Sequence, residues 1–236
     1  MSTSRDARAT GPGQTQLAAA VEARSLYRFF RTGEEETLAL QGVSLSVARC
    51  ELVVVTGPSG SGKSTLLACL AGLDDPDGGT ALVEGRPISH RPEPVRARIR
   101  AQRIGFLAQS ANLFEHLTVD ANLAFVRAVA PRSHHCSRGE ILRSVGLERR
   151  AGAYPSELSG GEAARAGLAV ALANDPAVVL ADEPTGELDS ATEADVLELL
   201  VAATAGGVAV VVASHSPAVA ATADRVVLLE NGRVVA

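Results

Sequence analysis

The chain lacks most of what would send it out of the cell, across a bilayer or onto a nucleic acid. Its three cysteines, Cys50, Cys69 and Cys136, are odd in number and have no metal-ligand spacing. That argues against a disulfide framework and fits a reducing compartment. No long apolar run is present: Val208 to Ala213, near the C-terminal end, covers about six residues, where a bilayer-crossing helix needs about twenty. The stretch from Met1 to Gln16 is rich in Ser, Thr, Gly and Ala without an apolar segment. It reads as a disordered tail rather than a secretion signal, so a cytoplasmic location is expected. A basic surplus is also missing, and a net charge of -5 disfavours nonspecific binding to nucleic acid. The local exception is Arg86, Arg91, Arg96, Arg98, Arg100 and Arg103, read as a solvated helix face. Lysine is almost absent, since Lys63 is the only one in the chain. What remains is 236 residues, 46% of them hydrophobic, enough to fill the core of one large domain or two small ones.

That single lysine stands in a telling place. Leu52 to Thr56 reads as a short strand, followed by Gly57-Pro58-Ser59-Gly60-Ser61-Gly62-Lys63-Ser64-Thr65 and the helical pattern Leu66 to Leu70. Strand, glycine loop and helix match G-x-x-x-x-G-K-[ST], in which backbone N–H groups close on phosphate oxygens and the helix N-terminus adds its positive end. Lys63 supplies a compact cation for the β and γ phosphates of a nucleotide. Ser64 would place its hydroxyl on Mg²⁺, and Thr65 would support the phosphates beside it. Arginine is too bulky and planar for such a cradle.

A second apolar run, Ala177 to Ala181, ends in Asp182 and Glu183. This is the pattern of a buried parallel strand that delivers carboxylates to the ligand edge of a sheet. Asp182 is placed to hold Mg²⁺ through its water shell, and Glu183 to orient and deprotonate an attacking water. More than a hundred residues separate Lys63 from Asp182, so something is inserted. The insert contains Leu158-Ser159-Gly160-Gly161-Glu162 ahead of the helical segment Ala163 to Ala173. Ser159, Gly160 and Gly161 therefore form a second glycine-padded helix end able to receive an anion.

With these motifs the sequence resembles the ABC ATPase family over nearly its whole length after about Glu22. The family order is kept: Gly57 to Thr65 as Walker A, Gln109 as the Q-loop glutamine, Leu158 to Glu162 as the signature, Val178 to Glu183 as Walker B, Glu187-Leu188-Asp189 as the D-loop and Ser214-His215 as the switch histidine. The resemblance implies an α/β fold: a P-loop NTPase core with a parallel sheet, an antiparallel β portion and an inserted α-helical subdomain at about 111–158. The expected organisation is a tail over 1–21 and one nucleotide-binding domain over 22–236. The ligands implied are ATP and Mg²⁺, with Gln109 beside Ser64 and Asp182 at the metal. The catalytic set implied is Glu183, His215, Gln109 and Lys63, with His215 sensing the γ-phosphate. An aromatic near the N-terminus stacks on adenine in the family, and Phe30 fits that position better than Tyr27. The partners implied are a second ATPase chain, head to tail, and a separate membrane permease that holds the pair at the inner face of the cell membrane.

The stretches Leu38 to Val43, Gly72-Leu73-Asp74 and Ala181 to Asp189 look most like the lipoprotein-release, macrolide-export and cell-division branch (LolD, MacB and FtsE types). In that branch the permease is FtsX/MacB-like and the work is export or membrane extraction. An importer subunit and a non-transport ABC ATPase stay open as alternatives. Two departures stand in the signature region: Glu162 replaces the usual glutamine and Val170 stands where arginine is common. An extra carboxylate there should repel a triphosphate somewhat, which keeps a non-hydrolysing scaffold in view. With Ser159, Gly160, Gly161, Lys63, Asp182, Glu183 and His215 intact, an active ATPase is expected. Cys50 stands where a turn glycine is usual before Glu51.

Overall fold

The computed structural model describes residues 19–32, 35–108, 112–130, 135–186 and 188–235. Two long strands, β1 (Ala19–Thr32) and β2 (Glu35–Ala48), pair antiparallel and lead into β3 (Leu52–Thr56). Next come helix α1 (Lys63–Leu70), strands β4 (Gly78–Val83) and β5 (Arg86–Pro87), helix α2 (Glu93–Arg103) and strand β6 (Ile104–Leu107). A helical segment follows, with α3 (Val119–Val129), α4 (Arg138–Ser144) and α5 (Gly160–Leu172). The chain then runs through β7 (Val178–Asp182), α6 (Ser190–Ala205), β8 (Ala209–Ala213), α7 (Pro217–Ala221) and the hairpin β9 (Arg225–Glu230) and β10 (Arg233–Val234). Asn231 and Gly232 turn that hairpin with positive φ at both residues, the two-residue geometry that suits the twist of paired strands.

Residues 19–21, expected in the tail, belong to a strand. β1 begins at Ala19, because Ala20 and Val21 are buried and the strand pairs Ala19 with Ala48 and Val21 with Val47. Residues 1–18, Gln109 and Glu187 lie outside the described residues.

Two sheets result. One is antiparallel, in the order β2-β1-β4-β5; the other has six strands in the order β10-β9-β3-β8-β7-β6, with β9, β3, β8, β7 and β6 mutually parallel. The parallel strands are near-continuous Val, Leu and Ala because both faces are covered. Alternation within them decides which face each side chain serves. Val53, Val55, Leu180 and Val211 join Leu66 and Leu67 of α1 and the inner face of the antiparallel sheet. Leu52, Val54, Val179 and Val212 join Leu168 of α5, Leu200 of α6 and Val219 of α7. Each fully buried Val or Leu stabilises this sandwich by about 1.5 to 3 kcal/mol relative to exposure.

A third apolar cluster ties α3, α4 and α5 together through Leu123, Leu142, Leu147 and Ala166. Val170 belongs to it, so the residue standing in place of arginine packs as a core side chain. Buried Asn122 organises the entry to α3: its amide donates to the carbonyls of Phe114, Leu117 and Thr118, and its Oδ1 accepts from Phe114 N–H at 2.8 Å. The turn before β3 survives without glycine. Cys50 itself takes the left-handed conformation at φ 61°, which costs about 1 to 2 kcal/mol for a side-chain-bearing residue. Three members of the arginine cluster pair with acids: Arg96 with Asp75 and Glu93, Arg100 with Glu93, and Arg103 with Glu84.

Candidate functional site

Parallel strands all end at one edge, and three of those ends meet here. The register sets Val55 of β3 opposite Ala213 of β8, and Ala213 opposite Asp182 of β7. The loops that follow carry Gly57 to Gly62, Ser214 with His215, and Glu183. They open on a cleft of about 690 Å³, the scale of a nucleotide-sized ligand. Its lining includes Phe30, Gly57, Pro58, Ser59, Gly60, Gly62, Lys63, Ser64, Thr65, Glu183 and His215.

The glycine loop is shaped by close backbone approach. A Cβ on Gly57 would fall 2.0 Å from the Leu229 carbonyl oxygen, and one on Gly62 would fall 2.3 Å from that of Ala39. Both residues also hold positive φ, so only glycine fits. Gly62 is the N-cap of α1 and no side chain caps that end, which leaves first-turn N–H groups for an anion. Lys63 is buried, its Nζ donating to the carbonyls of Gly57 at 2.9 Å and Pro58 at 3.2 Å. Among the described residues no carboxylate pairs with it, and a buried ammonium without a counter-charge is costly, so the loop is built to be completed by an anion.

At the facing end of β7, Glu183 sits at φ 46°, a conformation that costs on the order of 1 to 3 kcal/mol and gathers at functional sites. It is over-determined: its N–H donates to Ala213 O at 2.9 Å, and its carboxylate is held by Ser214 Oγ at 3.2 Å and His215 Nδ1 at 3.0 Å. The His215 side chain is 74% exposed and the Glu183 side chain 19%. Asp182 keeps a buried Oδ1 with no hydrogen-bond partner. No group of three or more His, Cys, Asp or Glu side chains able to cage a metal occurs among the described residues. An orphaned carboxylate oxygen on Asp182 and a hydroxyl on Ser64 in the loop are the hard oxygen donors that suit a cation taking its remaining ligands from phosphate and water.

Of the two candidate aromatics, Phe30 reaches the cleft; Tyr27 instead lies over Gly42 and Gly78. The Phe30 ring carries a backing that its own neighbourhood in the sequence does not suggest. Arg28 places its guanidinium 4.7 Å from the ring centroid, while Asp74 at 2.8 Å and Asp77 at 3.1 Å hold that guanidinium in place. Thr37 and Ala39 also line the cleft and carry no motif.

Ser159, Gly160 and Gly161 do not line this cleft. They form the start of α5, where Ser159 and Glu162 cap each other reciprocally. Gly161 is obligatory because a Cβ would fall 2.2 Å from Thr192 Cγ2. Thr192 is in turn fastened to Asp189, which accepts from its N–H and hydroxyl and caps α6. Those donors hold the Asp189 carboxyl below its ordinary range. Asp189 and Gly161 are thus joined through Thr192 in one chain, and neither lines the cleft of its own lysine.

A glycine-framed lysine, an exposed histidine on a glutamate and an orphaned aspartate at one sheet edge define a P-loop protein that binds a nucleoside triphosphate. The model of the family described as ABC transporter matches residues 40–186. The chain is 44% identical over 225 residues to the methionine import ATP-binding protein MetN of Nocardia farcinica (strain IFM 10152), which covers 92% of this chain and 66% of MetN. It is 38% identical over 218 residues to the macrolide export ATP-binding/permease protein MacB of Escherichia coli (strain K12), covering 91% of this chain and 34% of MacB. The chain therefore spans about a third of MacB and just under two thirds of MetN. Among solved structures, the dimeric structure of MJ0796, a bacterial ABC transporter cassette, superposes with a TM-score of 0.84 at 34% identity, covering 92% of this chain and 97% of that one. Its post-hydrolysis state bound to ADP and Pi superposes at 0.83, also at 34% identity over the same shares of the two chains. The chain belongs to the ABC transporter family and is an ATP-binding domain of its ABC ATPase type.

Proposed function

We propose that this chain is the ATP-hydrolysing motor of an export or membrane-extraction system, working as a head-to-tail pair on a separate FtsX/MacB-like permease at the inner face of the cell membrane. One observation carries the two-chain reading: the helix end bearing Ser159, Gly160 and Gly161 is absent from the lining of the cleft that holds Lys63. A second copy supplies it. ATP then lies between Lys63, Ser64 and Thr65 of one chain and Ser159 to Gly161 of the other, with its base on Phe30. Ser64, Asp182 and Gln109 would hold Mg²⁺, which when bound neutralises charge across the phosphate oxygens.

In hydrolysis the Glu183 carboxylate takes the proton of the attacking water as the water oxygen bonds to the γ-phosphorus and the bond to the bridging oxygen breaks. His215, with Nδ1 against the Glu183 carboxylate, lines the cleft where charge grows on the transferred group. Loss of the shared γ-phosphate lets the two faces part. An apolar groove of about 320 Å³ lined by Phe106, Asn112, Phe114, Phe125 and Val129 supports a permease contact. Phe114 and Phe125 meet edge to face there with centroids 4.9 Å apart, both well exposed.

Ser159→Asp tests the two-chain site. Aspartate caps a helix as well as serine, so α5 should stay formed while a negative charge meets the partner's phosphates. Nucleotide binding by the single chain should hold within about twofold, and ATP-driven dimerisation should weaken by about tenfold or more, as repulsion between close charges dictates. Equal dimerisation by the variant would remove the second chain from the site.

The export reading is supported by Pro184-Thr185-Gly186-Glu187-Leu188-Asp189 after the catalytic acid and by the likeness to MacB. Import is the second reading, favoured by the 44% identity to MetN. Co-purification decides between them: a four-helix permease with a large extracytoplasmic domain is expected, and a multi-span permease served by a solute-binding protein would establish import.

A further inference from the structure

Glu162 should weaken the signature end if its carboxylate faced the incoming phosphates. The structure turns it back. Glu162 Oε2 accepts from the backbone N–H of Ser159 at 2.9 Å, and the Ser159 hydroxyl accepts from Glu162 N–H at 3.3 Å. Arg150 closes on the same carboxylate: its Nε lies 3.0 Å from Oε1, an ion-pair contact too bent to count as a hydrogen bond, and its Nη2 lies 3.4 Å from Oε2. The Nη2 group also donates to the carbonyl oxygen of Glu157, just ahead of the signature. Arg150 stands at the end of the one-turn helix Glu148–Arg150, twelve residues before Glu162, so one guanidinium joins three successive pieces of chain. The Ser159 N–H first and Arg150 after it hold the Glu162 carboxyl below its ordinary range, so it stays ionised and needs its cation.

We propose that Arg150 is a positioning residue of the signature half-site: it neutralises Glu162 and pins it to the Ser159 backbone, so that the start of α5 offers a hydroxyl and amides, without free negative charge, to the triphosphate held by the partner chain. The inference rests on the two-chain reading given above. It explains how a carboxylate is tolerated in a position that usually carries a neutral amide. Glutamine needs no such partner, because its side-chain oxygen makes the same cap without charge.

The test uses the full chain in a Glu183→Gln background, with ATP-driven dimerisation followed by light scattering and single-chain nucleotide affinity followed with a fluorescent ATP analogue. Arg150→Met is expected to raise the ATP concentration needed for half-dimerisation by about tenfold, the effect of leaving one charge near the phosphates uncompensated. Adding Glu162→Gln to Arg150→Met is expected to bring dimerisation back to within about twofold of the parent, since the uncompensated charge is gone. Arg150→Lys, which keeps the charge, is expected to stay within about threefold. Single-chain affinity should stay near the parent's in all of them, because Arg150 does not line the Lys63 cleft. Unchanged dimerisation by Arg150→Met, or a loss that Glu162→Gln does not relieve, overturns the inference. If Arg150→Met no longer binds nucleotide it has lost its fold, and the Arg150→Met/Glu162→Gln and Arg150→Lys chains then decide by the same criteria. A parent that stays monomeric with ATP brings down the two-chain site and this inference with it; a dimerising parent beside an indifferent Arg150→Met brings down the inference alone.

Discussion

Replacing Glu183 by glutamine is expected to leave ATP bound and the two chains persistently joined while turnover falls by about 10² to 10⁴, the contribution of a positioned base. The structure makes this substitution unusually clean. Glutamine is nearly isosteric, its side-chain oxygen can still accept from Ser214 or His215, and the backbone contacts to Ala213 and Gly186 do not involve the side chain. The left-handed backbone at residue 183 should therefore persist, and the loss should appear in turnover rather than in binding. Steady-state phosphate release together with light scattering separates the two effects. Turnover near the parent's from the glutamine chain would remove Glu183 from the proton transfer and leave it only a role in orienting His215.

Lys63→Arg is expected to weaken ATP binding by about 10- to 100-fold, although formal charge is kept. A hydrogen bond to a charged group contributes about 1.5 to 3 kcal/mol, and about 1.4 kcal/mol is a tenfold change in affinity. The ammonium lies under two carbonyls of its own loop, where a compact head fits and a planar guanidinium is too broad. Gly57 and Gly62 already bring the backbone against Leu229 and Ala39, so the loop has no room to widen. Titration with a fluorescent ATP analogue checks the outcome, and parent-like affinity would mean that charge alone, rather than shape, selects lysine here.

Both substitutions act on residues that were legible before any coordinates. The glycine loop, the acidic pair after an apolar run and the second glycine-padded helix start all stand in short windows where spacing itself implies the local geometry. The supporting contacts were not legible in that way. Arg28 behind Phe30 depends on Asp74 and Asp77, more than forty residues away, and its sequence surroundings look like any strand. Glu162 read in isolation implied repulsion; twelve residues upstream, Arg150 reverses the sign. Thr37, Ala39 and Thr192 carry no motif because what matters is their closeness to the cradle and to Gly161, not their chemistry.

The chemistry of each piece is written in its own short segment: a cation in a glycine loop, carboxylates at the tip of a buried strand, an anion-receiving helix end. These follow from bonding distances and strand and helix periods, which act over a few residues. How the pieces combine depends on the fold as a whole. With β8 between β3 and β7, His215 rests on Glu183 across from Lys63, while α5 carries Ser159 away from that cleft. Strand order is chosen by packing between segments distant in the chain, and no short window contains that information.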